Sequence, residues 1–127
     1  MTDEQIFDTI GEDGFTRLVR AFYAQVPTDH ILGPLYPPHD LAGAEQRLRD
    51  FLVGRFGGPP RYIEQRGHPR LRMRHAPFKV TPKARDHWLA HFRAGLDAAN
   101  LAPEHDAQFW DYVTHAAQFM VNSFEEE

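Results

Sequence analysis

Apolar residues recur at helical spacing along most of the chain. A short run at residues 6–10 predicts a first helix that ends near Gly11 or Gly14. A stronger run predicts a second helix that ends at Pro27. The apolar face of this second helix consists of Phe15, Leu18, Val19, Phe22 and Val26. The glycine and prolines of residues 31–39 then predict turns.

The rest of the chain predicts three further main helices. One begins at Leu41 and ends at Gly57-Gly58-Pro59-Pro60. The next begins at Thr81-Pro82, where a hydroxyl can cap the helix and proline suits its first position. Ala102-Pro103-Glu104 opens the last helix, which reaches about Ser123. With no sustained strand-like alternation, the pattern predicts an all-α fold of about five main helices.

We predict a single domain over residues 1–127, with residues 124–127 as a frayed tail. The basic connection at residues 57–80 is longer than the ~12–15 residues usual for structureless loops, and we expect one short helix in it. Loops of this length are often functional. Its apolar and aromatic residues favour a function here: Tyr62, Leu71, Met73 and Phe78.

Composition excludes several classes of site. The 127 residues carry a net charge of −4 and no cysteine, which excludes disulfides, thiolate metal sites and thioether-linked haem. No apolar run approaches the ~20 residues of a membrane span, and the N-terminus lacks a signal core. We therefore expect a cytoplasmic protein, and the net acidity disfavours a general nucleic-acid binder.

Positive charge is nevertheless concentrated between Arg47 and Arg74. Eight arginines fall in this stretch, and only Asp50 and Glu64 oppose them. Three interpretations stay open: a solvated face, a phosphate or nucleic-acid site, or a site for the two propionates of a haem, since the guanidinium fork matches carboxylates.

His75 is the strongest candidate ligand in the connection. Leu71, Met73 and Phe78 give it apolar flanks, and Pro77 restricts the local backbone. A neutral imidazole is a good iron ligand, and one protein ligand suffices when a porphyrin supplies the other nitrogens. A surface histidine, or a buried one with an ordinary partner, is the alternative.

Two polar aromatic residues could form the wall opposite such an iron. Tyr23 lies beside Phe22 on the second helix, and Trp88 lies on the core face of the helix after Pro82. A buried phenol or indole needs a hydrogen-bond partner, and a negatively polarised bound dioxygen would provide one. Ordinary core packing with a backbone carbonyl as partner is the alternative. His87 and His91 have metal-ligand spacing, but no third ligand is apparent.

Several stretches together resemble one family. They are Phe22-Tyr23, Tyr36-Pro37, the segment 40–45, Gly57-Gly58-Pro59, Tyr62, the run 64–78, Trp88 and Val121-Asn122-Ser123. The chain from Phe7 to Ser123 resembles the group II truncated haemoglobins, and the actinobacterial O-type proteins look most similar.

The resemblance implies a two-over-two helical globin around noncovalent haem b. His75 matches the family's axial iron ligand, and Tyr23, Tyr36 and Trp88 match its distal polar residues. Ala44 matches the distal-histidine position of other globins and cannot hydrogen-bond a ligand, and Leu48 follows one turn later. The residues expected to contact the haem, besides His75, are Phe22, Ala44, Arg47, Leu48, Tyr62, His68, Leu71, Arg72 and Phe78.

Arg47, Tyr62, His68 and Arg72 are the candidates for the propionates, by charge and by position in matching motifs. One departure is visible: Arg55-Phe56 stands where members commonly carry Tyr-Trp, which affects packing more than the iron site.

The resemblance implies binding of dioxygen, carbon monoxide, nitric oxide or peroxide at ferrous iron. Oxygen binding with nitric-oxide dioxygenation would need an external reductase, because the sequence has no flavin or nicotinamide motif. Peroxidase-like chemistry and a non-haem basic binding module are the alternatives. We expect no nucleic-acid partner and no membrane span, and a homo-oligomer stays open.

Overall fold

The computed structural model describes residues 5–36, 39–75 and 78–123, except the side chain of Arg72. The regular elements in these ranges are helical: α1 (Ile6–Tyr23), α2 (Leu41–Arg55), α3 (Arg61–Arg66), α4 (Leu71–His75), α5 (Pro82–Ala99) and α6 (Pro103–Met120). Two 3-10 turns, Val26–Thr28 and Gly33–Leu35, lie between α1 and α2. None of the helices within these ranges is long and apolar enough to span a membrane.

The two helices predicted at the N-terminus are joined as α1 with a kink at Gly11. Gly11 has φ 69° and ψ 170°, a conformation that glycine adopts at little cost. The predicted end at Pro27 was four residues too late, because α1 ends at Tyr23. The chain then tightens into the 3-10 turn Val26–Thr28, with Pro27 near its start.

Two helix pairs enclose the core. α1 packs on both α2 and α5, α5 packs on α6, and α4 rests against α6. Five phenylalanines are completely buried between these helices: Phe15, Phe22, Phe56, Phe92 and Phe109. α1 and α5 approach closely at Gly95, where a Cβ would lie 2.9 Å from the carbonyl oxygen of Leu18.

The long connection after α2 contains two short helices, α3 and α4, where one was expected. Gly57, with φ 95°, turns the chain after α2. Gly67, with φ 77°, ends α3, and Arg70, with φ 42°, precedes α4. These three left-handed residues separate the short helices and direct the chain so that His75 ends α4.

The start of α5 and the end of α6 each have an identifiable cause. The Thr81 hydroxyl accepts a hydrogen bond from the amide of Ala84 at 3.0 Å, which confirms the predicted cap of α5. The predicted end of α6 near Ser123 was too late, since α6 ends at Met120. There the backbone amides of Asn122 and Ser123 donate hydrogen bonds to the carbonyl oxygen of Val80, at 3.0 and 3.2 Å.

Candidate functional site

Four aromatic residues from three separate segments meet at the end of α1. We call Phe22, Tyr23, Tyr36 and Trp88 the aromatic cluster. Ring centroids lie 5.6 Å apart for Tyr23 and Tyr36, and 5.1 Å apart for Phe22 and Trp88. Phe22 is completely buried, and Tyr23, Tyr36 and Trp88 pack partly buried against the core. The fold thus brings together the three polar aromatics predicted as distal residues.

Burial keeps both phenols of the aromatic cluster neutral at ordinary pH. Burial raises the pKa of Tyr23 far above its usual value, and the neighbouring Tyr36 raises it further. Burial also raises the pKa of Tyr36 to about 12, although hydrogen bonds with Trp88 and Tyr23 lower it in part. Both phenols therefore retain their protons and act as hydrogen-bond donors.

The donor protons of the aromatic cluster can be assigned in part. The Tyr23 hydroxyl donates to the carbonyl oxygen of Ala44 at 3.2 Å, which is the backbone partner considered as the alternative from the sequence. An indole N–H can only donate, so the hydrogen bond between Trp88 and Tyr36 ends on the Tyr36 oxygen. Tyr23 and Tyr36 also hydrogen-bond each other, so with the Tyr23 proton on Ala44 the Tyr36 proton is directed at the Tyr23 oxygen.

Ala44 and Leu48 lie one turn apart on α2. Ala44 is buried, and its carbonyl group anchors Tyr23. Leu48 is half-buried and packs against the core. The small side chain of Ala44 therefore lies beside the Tyr23 hydroxyl, with an apolar residue on the next turn.

His75 is held in one tautomer. Its Nδ1 lies 2.7 Å from the carbonyl oxygen of Leu71, one turn earlier in α4. A carbonyl only accepts, so Nδ1 carries the ring proton and the lone pair is on Nε2. Metal-ligating histidines commonly have this arrangement, in which the partner of one nitrogen orients the other. The Phe78 ring lies 6.4 Å from the imidazole, centroid to centroid.

Asn122 fixes the backbone at His75 and just after it, a role that sequence reasoning missed. Its Nδ2 donates to the carbonyl oxygens of His75 and Phe78, at 3.2 and 3.0 Å. Its Oδ1 accepts from the amide of Val80 at 2.9 Å. The resemblance included Asn122, but no spacing rule connects residues so far apart in the chain. The side chain determines where the end of α4 lies.

Three of the residues predicted for the propionates have other partners among the described contacts. Arg47 pairs with Asp40 at 3.1 Å. Tyr62 packs on Phe51, with ring centroids 5.7 Å apart. The exposed His68 accepts the amide of Arg70 on Nδ1 at 3.1 Å. The predicted role of Arg72 falls on a side chain outside the described part of the structure.

Arg74 was missed as a structural residue of this connection. Its guanidinium donates to the carbonyl oxygens of Arg66 and His68, at 2.7 and 3.2 Å, and lies over the Tyr62 ring. These contacts hold the end of α3 against α4. Arg74 therefore stabilises the segment that presents His75.

His87 and His91 face a carboxylate, not a metal-ligand set. Both rings contact Asp29, which lies in the loop between α1 and α2. Across the described ranges, no group of three or more His, Cys, Asp or Glu could hold a metal ion. A metal at His75 therefore needs further ligands from outside these side chains, as a porphyrin would supply.

Comparison with known proteins agrees with this geometry. A family model described as bacterial-like globin matches residues 5–122. A group 2 truncated haemoglobin of Bacillus subtilis (strain 168) is 36% identical over 121 residues, which cover 95% of this chain and 91% of that protein. The chain belongs to the group II truncated haemoglobins. Its helix pairs are accordingly those of the two-over-two globin fold.

Solved structures resemble this truncated haemoglobin closely. A haemoglobin of the thermophilic phototrophic bacterium Chloroflexus aurantiacus superposes with a TM-score of 0.89 at 47% identity, covering 92% of this chain and 97% of that one. A thermostable haemoglobin of the actinobacterium Thermobifida fusca gives 0.89 at 48% identity, covering 96% and 98%. Membership supports haem-based binding of small gas ligands, and the oriented His75 of this truncated haemoglobin fits that cofactor.

Proposed function

We propose that this chain binds noncovalent haem b through Nε2 of His75. The observation that carries the proposal is the hydrogen bond from Nδ1 of His75 to Leu71, because it orients Nε2 as a ligand. Neutral imidazole is the usual protein ligand of globin haem. The sequence has no cysteine, which excludes thioether attachment. Phe22, Ala44, Leu48, Leu71 and Phe78 supply apolar contacts, and Arg47, Tyr62, His68 and Arg72 are the candidates for the propionates.

Ferrous haem supplies an iron that binds dioxygen, carbon monoxide and nitric oxide. The aromatic cluster supplies the donors for a negatively polarised ligand. Tyr36 would turn its proton from Tyr23 to the ligand, and Trp88 holds the Tyr36 oxygen in place. The Tyr23 hydroxyl would become a further donor by exchanging its hydrogen bond to the Ala44 carbonyl for one to the ligand. Ala44 contributes no donor and leaves space for a diatomic molecule.

The expected strength of the hydrogen bonds to a bound ligand favours redox chemistry over oxygen delivery. A hydrogen bond to a charged acceptor contributes ~1.5–3 kcal/mol. Two such bonds slow ligand escape by roughly 10²–10⁴-fold at ~1.4 kcal/mol per decade. We therefore infer detoxification such as nitric-oxide dioxygenation, supported by an external reductase in the cytoplasm.

Peroxidase-like activity is the second candidate. The observation that favours it is the contact between Tyr23, Tyr36 and Trp88, since oxidisable side chains in contact can share a radical. The third interpretation, a basic module for nucleic acid, has less support. Arg47 and Arg61 pair with Asp40 and Glu12, and Arg74 donates to backbone carbonyls, so these guanidinium groups already have partners.

Absorption spectra test the proposal directly. We expect a Soret band that shifts on reduction with dithionite and again with carbon monoxide. His75→Ala should lose stable haem, or force a substitute ligand with a different spectrum. His115→Ala is the matched control, because His115 is exposed on α6 and bonds only within its own helix among the described contacts. Haem binding that is equally strong in His75→Ala would refute the assignment.

Stopped-flow mixing of the oxygen-bound protein with nitric oxide separates the two activities. Stoichiometric nitrate with ferric product supports dioxygenation. Little nitrate together with fast peroxide turnover supports the peroxidase candidate. A chain that takes up no haem even on reconstitution, yet binds DNA in a salt-dependent manner, would support the basic module.

A further inference from the structure

A buried carboxylate joins the two segments that carry Tyr36 and Trp88. The side chain of Asp29 is 5% exposed. Its Oδ1 accepts the amides of Ile31 and Leu32, at 2.7 and 2.8 Å. Its Oδ2 lies 2.9 Å from Nδ1 of His87 and 2.5 Å from Nε2 of His91. We call Asp29, His87 and His91 the Asp29 cluster.

The position of the Asp29 cluster gives it a connection to the ligand site. His87 directly precedes Trp88 in α5, and His91 lies one turn later. Asp29 lies in the loop that ends at Tyr36. One carboxylate therefore fixes the loop backbone with one oxygen and the Trp88 turn of α5 with the other.

His91 faces hydrogen-bond acceptors with both ring nitrogens. Nε2 faces the Asp29 carboxylate, and Nδ1 lies 2.8 Å from Oε1 of Gln25. The orientation of the Gln25 amide is fixed, because its Nε2 donates to the carbonyl oxygens of Ala21 and His91, at 3.0 and 3.1 Å. Both imidazole nitrogens must therefore carry protons, and His91 is an imidazolium paired with a buried carboxylate.

The charge on Asp29 is stabilised by its surroundings. Burial alone would raise the pKa of this carboxyl, but hydrogen bonds from the Leu32 amide, His87, His91 and the Ile31 amide outweigh burial and lower it well below its usual range. The titratable groups facing the cluster are few in the described contacts. His30 contacts the His87 ring at 5.7 Å, and the uncharged Phe22 and Gln25 face His91.

We propose that the Asp29 cluster is a positioning device that sets the contact between Tyr36 and Trp88, and that the imidazolium of His91 completes it. The inference rests on the proposed function, since it concerns the donors of the ligand site. With protons on both nitrogens, His91 makes its bonds to Asp29 and to Gln25 together. His87 holds the same carboxylate oxygen, so two residues of α5 tie the loop to the turn that carries Trp88.

The charge state of His91 is the first test. Nitrogen NMR of the full chain, as the ferrous carbon monoxide complex, resolves both imidazole nitrogens. We expect both His91 nitrogens to be protonated, because each faces a hydrogen-bond acceptor. A neutral His91 with one bare nitrogen would overturn the assignment.

Asp29→Asn tests the positioning role. An asparagine oxygen can still accept the loop amides, but its NH₂ group faces His87 and His91, so the ion pair is lost while the loop turn is kept. We expect oxygen release to accelerate about tenfold, equivalent to about 1.4 kcal/mol. Asp86→Asn, an exposed carboxylate on the same helix, is the matched control.

A second readout does not depend on ligand release. The Trp88 indole N–H resonance should shift in Asp29→Asn but not in Asp86→Asn, relative to the wild type, with Trp88→Phe providing its assignment. A resonance and a release rate that match the Asp86→Asn control would overturn the positioning role. If Trp88→Phe leaves oxygen release unchanged while Asp29→Asn still shifts the indole resonance, the proposed ligand site fails and the Asp29 cluster stands.

Discussion

Tyr36 is the residue on which the hydrogen bonds of the ligand site converge. Its oxygen accepts from Trp88, and it also hydrogen-bonds Tyr23. The Tyr23 proton is already used by Ala44. At the scale of single residues, the site therefore holds two phenol donors, and each must exchange its partner to reach a ligand.

Replacing Trp88 should weaken this arrangement. In Trp88→Phe the Tyr36 oxygen loses its indole donor, and we expect oxygen release to accelerate about tenfold, equivalent to ~1.4 kcal/mol. Flash photolysis or stopped-flow displacement by carbon monoxide measures the rate. Trp110→Phe is the control, since that indole lies under Arg93 outside the aromatic cluster. Equal rates in the two variants would leave Trp88 as a packing residue.

Asn122 should govern how firmly the His75 segment is held. Asn122→Ala removes two donated bonds and two accepted bonds, each worth ~0.5–1.5 kcal/mol. We expect faster transfer of haem to an acceptor protein and a lower midpoint of thermal unfolding. Ser123→Ala is the control, because it removes only a bond to Asn122 and leaves those to His75 and Phe78. Haem loss at the same rate in both variants would show that Asn122 does not hold the His75 segment.

At the scale of elements, the contact of α1 with α5 decides how the aromatic cluster assembles. α1 ends with Phe22 and Tyr23, and α5 carries Trp88. Gly95 lets the backbones of the two helices approach near Leu18. The absence of a side chain at this position is therefore a structural requirement, although glycine is a poor helix former.

A methyl group at Gly95 should separate the two helices. We expect Gly95→Ala to lower the free energy of unfolding by ~1–3 kcal/mol, because its Cβ meets the Leu18 carbonyl oxygen. Urea denaturation measures the change. Gly54→Ala is the matched control: its Cβ would meet atoms of Pro59 and Pro60 at an ordinary 3.6 Å. Equal stability of the two variants would mean that the close approach has no energetic role.

At the scale of the whole molecule, burial of polar groups makes stability depend on pH. The two phenols of the aromatic cluster are held neutral in the folded chain, whereas an unfolded phenol ionises near ~10. Their raised pKa values contribute stability that is fully present below about pH 10 and lost as pH rises toward the folded value. Asp29 acts in the opposite direction: its contribution is present above the unfolded carboxyl pKa and is lost in strong acid.

The dependence of the free energy of unfolding on alkaline pH should therefore report on the Tyr36 phenol. We expect the Tyr36 contribution to the free energy of unfolding to fall by about 2 kcal/mol between the unfolded phenol's value near 10 and the folded pKa of about 12. Denaturant titrations at successive pH values measure this slope. Tyr36→Phe should make it shallower, with Tyr23 supplying the remainder, whereas Tyr62→Phe is a control outside the cluster. A slope unchanged in Tyr36→Phe would show that this phenol does not resist ionisation.

The helices and the family were largely predictable from the sequence. Thr81-Pro82 predicted the start of α5 because an N-cap acts within one turn. His75, with its apolar neighbours, was a candidate ligand for the same local reason. Ends of helices were less predictable, since α6 stops where Asn122 and Ser123 turn to Val80, a residue of another segment.

The sequence by itself determined the helical periodicity, the caps, the lack of thiol chemistry and the residue types available to the site. Only the tertiary structure decided that Tyr23, Tyr36 and Trp88 meet, that Asp29 joins two histidines, and that Asn122 holds His75. The physical reason is the distance along the chain over which each kind of interaction acts. Helix rules act over three or four residues, whereas these contacts join distant segments and form only when packing of the apolar faces brings those segments together.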